Sequence, residues 1–247
     1  MIRAAAILLI ALGLAACSAD DPSSNWARGQ SGTVSRVIDG DSFVLDDGLV
    51  VRLVSIEAPS FGYRGDEDDP YAEESKRALE RLVLGRRVEL FYPGLTQDRY
   101  ERALAQVYGF NEAGSRFWVN EEMASSGNAW VRLYPDTSPG SDALWISEAE
   151  ARADSIGLWG DASPESSITD AEDADGEFVI LTGRLLEGTE YETDCVHRLV
   201  GSDISVRYRA LAGCNVIPEG EVEIRGWARN GSVSAGYHAN IRPLPED

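Results

Sequence analysis

The chain has 247 residues and a formal charge of −20, with 22 Lys and Arg against 42 Asp and Glu. That balance excludes the broadly basic surface usual in nucleic-acid binders and leaves room only for a local basic groove. His197 and His238 are too few and too far apart for a histidine metal centre, so each reads as a structural residue.

Met1-Ile2-Arg3 is a short positive start, residues 4–14 are apolar, and Leu14-Ala15-Ala16-Cys17 closes the run. The run is too short for a mature membrane span and reads as a cleaved signal segment, residues 1–16. Its ending resembles a bacterial lipobox, which implies cleavage before Cys17 and a lipid anchor on its sulfur. An ordinary signal segment with a free thiol is the alternative. Ser18 leans the anchor toward the outer membrane, on the periplasmic side. The polar residues 17–31 then read as a tether.

About 230 residues remain, enough for one large domain or two small ones. Composition favours two, with residues 32–161 separated from 177–247 by an acidic linker at 162–176. A monomer is expected. In the first unit, Gly32 to Ile38, Ser42 to Leu45 and Leu49 to Ile56 have strand character, and Asp46-Asp47-Gly48 supplies a hairpin turn. A helix is expected from an Asp69 N-cap and Pro70 through Leu82, stopped by Gly85. Arg87 to Tyr92 and Ala103 to Phe110 return to strand. Asn120 caps a short helix ended by Gly127, and the spacing of Trp145, Ala149, Ala153 and Ile156 predicts the buried face of a last helix over 142–156. A meander interrupted by one helix and followed by two more suits a small barrel packed on helices. Residues 177–247 read as mostly β, with Trp227 in a core. Cys195 and Cys214 are expected to pair in an oxidising compartment, two buried thiols being the alternative.

Five motifs occur in order: Ile38-Asp39-Gly40-Asp41-Ser42, Arg52-Leu53-Val54-Ser55-Ile56-Glu57-Ala58-Pro59, Asp98-Arg99-Tyr100-Glu101-Arg102-Ala103-Leu104-Ala105, Val119-Asn120-Glu121 and Ser147-Glu148-Ala149-Glu150-Ala151. Together they resemble the staphylococcal nuclease (thermonuclease) family over residues 32–161. The resemblance implies a mainly β fold, an OB-type barrel with three helices, and calcium-dependent cleavage of DNA and RNA. The C-terminal Glu223 to Gly231 stretch resembles a turn in small OB-like domains found behind some bacterial members.

The resemblance assigns Asp41 and Glu57 to calcium, with the Ala58 carbonyl as a main-chain ligand and Asp39 nearby; calcium prefers such oxygen donors. Glu57 stands where the family more often has Asp. Arg52 and Arg102 match the family's catalytic arginines, whose planar forks suit phosphate oxygens. Arg52 also interrupts an apolar strand, where a purely structural arginine requires a buried partner. Arg99 and Tyr100 match a pair that contacts the terminal phosphate of a nucleotide, and Tyr134 lies near base-stacking tyrosines. Arg86 and Arg87 are candidates to extend the basic groove.

One position departs from the pattern. Ser60 stands where the family places a glutamate that holds or activates the attacking water. A hydroxyl orients water but is a poor proton acceptor without a neighbouring base. The acidic loop at 64–69 either supplies that base or is simply solvated. Two functional classes follow. One is a lipid-anchored, calcium-dependent phosphodiesterase acting on DNA, RNA or nucleotides outside the cytoplasm, slowed by Ser60. The other is a non-catalytic envelope binding module that keeps the nuclease fold.

Overall fold

The computed structural model describes residues 21–62 and 67–244. The expected signal segment, Cys17 and positions 63–66 of the acidic loop lie outside the described residues.

The chain forms β1 (Ala27–Val37), β2 (Ser42–Leu45), β3 (Val50–Leu53), β4 (Ile56–Glu57), α1 (Ala72–Val83), β5 (Arg87–Tyr92), β6 (Ala103–Phe110), β7 (Arg116–Trp118), α2 (Val119–Ser125), β8 (Trp130–Val131) and α3 (Asp142–Ala153). Strands β1, β2, β3, β6 and β5 close into a five-stranded barrel, because β3 pairs in parallel with β6 while β1 pairs antiparallel with both β2 and β5. The long β1 serves both neighbours by bending. Its register shifts between Arg28 and Ser31 and again between Val34 and Arg36, and such irregularities turn barrel corners. Apolar side chains from alternating strand positions, among them Phe43, Val51, Leu53, Leu90 and Val107, are wholly buried inside.

Several expectations change. Residues 21–31, expected to belong to a polar tether, are folded instead. From Asp21 onward the chain is folded, through a 3-10 turn at Pro22–Asn25 and the first half of β1, with Trp26 buried against Trp118. Asp21 accepts a hydrogen bond from Tyr108 and pairs with Arg116. The first helix begins at Ala72 after Tyr71, which takes a positive φ, so Asp69 is not its N-cap. Asn120 is not a cap either. It is buried inside α2, where its Nδ2 donates to Val54 O at 2.8 Å and its Oδ1 accepts from Val107 N at 2.9 Å, tying the helix to two barrel strands.

The buried face of α3 consists of Leu144, Trp145, Ser147, Glu148 and Ala151; Ala149, Ala153 and Ile156 face solvent. A buried glutamate displaced the apolar register that spacing alone selects. The stretch 162–176 is partly structured, since α4 (Ile168–Asp173) packs Ala171 and Ala174 into the second core, its N-terminus capped by Ser167.

That second unit contains β9 (Glu177–Arg184), β10 (Thr189–Tyr191), β11 (Asp194–Arg198), β12 (Ser205–Arg209), β13 (Glu221–Arg229), β14 (Ser232–Gly236) and β15 (Ile241–Pro243). They form one sheet, in which β13 is flanked by β9 on one side and by β14 and β15 on the other. The Glu223 to Gly231 stretch is thus mostly the central strand β13, turning only at Asn230-Gly231, where both residues have positive φ. His197 is buried, stacks on Tyr208 and bonds Leu186 O through Nδ1, as a structural histidine does.

Cys195 and Cys214, 19 positions apart in sequence, are joined by a disulfide with Cα atoms 5.3 Å apart. A loop of that size contributes about 3 kcal/mol by restricting the unfolded chain. A Cys195→Ala/Cys214→Ala protein is expected to lose about that much stability, read from the midpoint of a denaturant titration.

The two units share a continuous interface. Trp130 stacks on Phe178 at 4.9 Å between centroids, Phe178 meets Trp227 edge-on, and Trp227 is therefore half-buried between the units rather than inside either core. Asn240 exchanges two 2.9 Å hydrogen bonds with the Leu133 backbone. Beneath these lies an ion network. Arg225, 1% exposed at its side chain, pairs with Glu148 of α3 and Glu223, and also donates to Val131 O. Glu148 in turn accepts from Val131 N. The second unit therefore grips β8, and β8 is the partner of β4.

Candidate active site

The β1–β2 turn places the first acidic group. Asp39 Oδ1 accepts from Asp41 N, which closes the turn, and Gly40 packs against α1 and the chain after β4. A Cβ at Gly40 would come within 1.9 Å of Ser75 Oγ and 2.6 Å of Ala58 Cβ, so only glycine allows this approach. Asp41 is then fixed by its neighbours: Ser42 Oγ donates to its Oδ1 at 2.8 Å and Ala58 N to its Oδ2 at 3.0 Å. Ser55, at φ 66°, breaks the run between β3 and β4. Its buried hydroxyl is held by Thr137 O, Gln106 and Ser141, and the kink leaves Glu57 on the same side as Arg52.

Arg52 sits between the two carboxylates. Its Nη1 pairs with Asp41 and its Nη2 lies 3.1 Å from Glu57 Oε1. Nη1 is buried and touches Asp41 as an ion pair without a directed hydrogen bond. Burial opposes the guanidinium charge, but Asp41, Glu57 and Asp39 outweigh it and hold the group above its ordinary value. The Asp41 carboxyl moves up to about 6, because burial and the neighbouring Asp39 exceed the pull of Arg52. The other Glu57 oxygen accepts from Arg132 Nη1 at 2.9 Å.

Arg102 is anchored differently. Its Nε and Nη2 each lie 2.7 Å from Asp98 Oδ2, at the end of a turn in which Glu101 takes a positive φ. Burial works against the Asp98 charge, yet hydrogen bonds from Arg102 and the backbone hold its carboxyl below the usual range. Arg99 and Arg102 both lie over the ring of the exposed Tyr100, at 4.8 and 5.7 Å.

A single cavity of about 790 Å³ collects these groups. Asp39, Asp41, Arg52, Glu57, Ala58, Ser60, Arg99, Tyr100, Arg102 and Tyr134 all line it. Arg86 and Arg87 do not; Arg87 donates to Ser31 on the far side of the β1–β5 pair. The basic groove is therefore formed by Arg52, Arg99 and Arg102 alone among the expected residues.

Three contributors had no individual role at the site assigned from the sequence. Arg132 joins Glu57 to the aromatic interface, lying 4.9 Å from the Tyr134 ring and 5.7 Å from those of Phe178 and Trp227. It lies inside the apolar run from Ala129 to Leu133, the same signal that singled out Arg52. Asp98 orients Arg102, and a carboxylate four residues before an arginine is a readable pair. Asp69 accepts hydrogen bonds from Ser60; the following Pro70 points to a helix cap, and nothing local singles Asp69 out from the other loop carboxylates as the partner of Ser60.

The donor chemistry fits calcium in kind, since Asp41, Glu57 and Ala58 line the same cavity and carry hard oxygen donors. Among the described residues, no three acidic, histidine or cysteine side chains form a closed metal cluster. Water and substrate oxygens would have to complete the shell.

A closed five-stranded barrel flanked by helices, with arginines and carboxylates converging in a cleft on its side, is the frame of an OB-type nuclease domain. Residues 50–161 match the family described as staphylococcal nuclease homologue. The chain is 36% identical over 136 residues to an uncharacterized endonuclease of Escherichia coli O157:H7, covering 54% of this chain and 79% of that protein. It is 29% identical over 160 residues to a thermonuclease of Staphylococcus intermedius, covering 62% and 92%. A probable endonuclease LCL3 of Phaeosphaeria nodorum is 32% identical over 139 residues, covering 52% and 44%. The chain belongs to the staphylococcal nuclease homologue family, and its nuclease relatives support a phosphodiesterase activity in general.

Proposed function

We propose that this chain hydrolyses phosphodiester bonds of DNA and RNA with the help of calcium, outside the cytoplasm and tethered through a lipid on Cys17. The observation that carries the catalytic reading is the convergence of Asp41, Arg52, Glu57 and Arg102 on one cavity wide enough for a nucleotide. The binding-module alternative rests on Ser60 and on the acidic surface, neither of which removes a phosphate-facing arginine from the cavity.

Each group has a role that follows from its placement. Arg52, buried and prepaid in orientation by two carboxylates, presents donors to the non-bridging oxygens where charge grows in the transition state. Arg102, held by Asp98 at the opposite edge, approaches the same phosphate from the solvent side. Tyr100 and Arg99 bracket a neighbouring phosphate, and Tyr134 offers a ring face to a base. Asp41 and Glu57, with the Ala58 carbonyl and Asp39 nearby, would hold the calcium ion, which supplies polarisation of the phosphate and of water. The acidic body opposes long-range attraction of nucleic acid, so binding relies on short-range phosphate contacts; added salt screens the repulsion but weakens those contacts. The exported location rests on the leader sequence, and the Cys195–Cys214 disulfide agrees with an oxidising compartment.

Titration calorimetry with calcium tests the metal assignment. Asp41→Asn is expected to weaken calcium binding by at least about tenfold, the loss of one charged ligand among few. Cleavage of single-stranded DNA is expected to stop in excess chelator and to resume when calcium is restored. Calcium affinity unaltered by Asp41→Asn would remove Asp41 from the site.

A further inference from the structure

We propose that Ser60 and Asp69 act as one unit to accept the proton of the attacking water, Asp69 serving as the positioning base behind the Ser60 hydroxyl. The inference rests on the nuclease reading above and deepens it.

The geometry is specific. Ser60 Oγ donates to Asp69 Oδ2 at 2.7 Å, and Ser60 N donates to the same oxygen at 2.8 Å. Asp69 N returns a 2.9 Å bond to Ser60 O, so the two residues are clasped across the acidic loop. Asp69 is fixed from its other side by Pro70 and the start of α1, where Ala72 N bonds its carbonyl. Ser60 lines the cavity that holds Arg52, while Asp69 stands half-buried behind it.

A serine hydroxyl has one proton and two lone pairs. With that proton committed to Asp69, the lone pairs are what Ser60 offers to the cavity, and a water there donates to Ser60 Oγ. As the water oxygen forms its bond to phosphorus, its proton passes to Ser60 Oγ and the serine proton passes to Asp69. The bridging P–O ester bond breaks with its electron pair on the leaving oxygen, which takes a proton from solvent. Asp69 then returns its proton to solvent through the same hydroxyl. No oxidant, reductant or further reactant is needed.

A purely structural clasp predicts something different, and Asp69→Asn separates the two. The asparagine side-chain oxygen still accepts both Ser60 hydrogen bonds, but the amide has no useful proton affinity. The experiment measures steady-state cleavage of single-stranded DNA in calcium by wild type, Asp69→Asn, and Asp69→Asn combined with Ser60→Glu, with the melting temperature of each. Asp69→Asn is expected to lower kcat about 10²-fold, the low end of base assistance, with KM and melting temperature near wild type. Ser60→Glu is expected to restore most of the lost kcat in the Asp69→Asn background, because a carboxylate then stands in the cavity itself. An Asp69→Asn enzyme with wild-type kcat, or a double variant as slow as Asp69→Asn, overturns the Ser60–Asp69 unit while leaving the nuclease reading intact. A wild-type protein with no turnover overturns both.

Discussion

Replacing Arg225 with methionine is expected to destabilise the folded chain by about 3–5 kcal/mol, the cost of stranding a buried partner charge. Arg225 and Glu148 are 1% and 2% exposed at their side chains, and Arg225 also reaches Glu223 and Val131 O. Burial opposes the Arg225 charge, but Glu148 and Glu223 more than compensate and raise its affinity for the proton. Without Arg225, Glu148 keeps its contact to Val131 N and loses its paired cation, leaving only the field of Arg242, which lies over Trp145. The consequence extends to the site. Val131 pairs with Ile56, and Trp130 with Glu57, so a loosened β8 loosens the strand that presents Glu57. Chemical denaturation should show the lost stability, and calcium affinity should fall with it. A double variant, Arg225→Met with Glu148→Gln, is expected to recover part of the loss because no unpaired charge remains. Equal destabilisation in the single and double variants would show that packing, not charge, holds the units together.

Arg52→Ala is expected to lower kcat/KM by at least about 10²- to 10³-fold, the range found when one preorganised charge-stabilising donor is removed. The reason is position. Arg52 is the guanidinium that lies between both proposed calcium ligands, and its side chain is 12% exposed, so water replaces it poorly. Arg52→Lys is expected to recover little, since an ammonium cannot span Asp41 and Glu57 with two donors. The fold should suffer less than the rate. Glu57 retains Arg132, and Asp41, already raised by burial, takes up a proton more readily when Arg52 is gone. Thermal denaturation and single-turnover cleavage on the same preparations separate the two effects.

Much of this site was legible because its chemistry is local in sequence. Asp39, Asp41, Arg52 and Glu57 fall within two short motifs, with Ser60 directly after the second, and a strand interrupted by arginine announces a charged pocket. Strands β2, β5 and β6 were equally plain, since alternating apolar residues fill the barrel. What was hidden depends on long-range partners. Ala27 to Gln30 look like a tether because their side chains stay outside the barrel while their backbone pairs with β5. The buried face of α3 was misplaced because Glu148 is tolerable inside only with Arg225, 77 positions away. Asp69 looked like a helix cap, the commonest use of an aspartate before proline, yet its side chain turns back to Ser60.

Catalysis is proposed to survive the serine at position 60 in this member of the family. Its most direct test is cleavage of single-stranded DNA and RNA by the chain from Ser18 onward, in calcium and in chelator, beside Arg52→Ala prepared identically. Wild type is expected to cleave phosphodiester bonds in calcium, to stop in chelator, and to be reduced to near background by Arg52→Ala. Wild type with no turnover at high enzyme concentration, or turnover matched by Arg52→Ala, would contradict it.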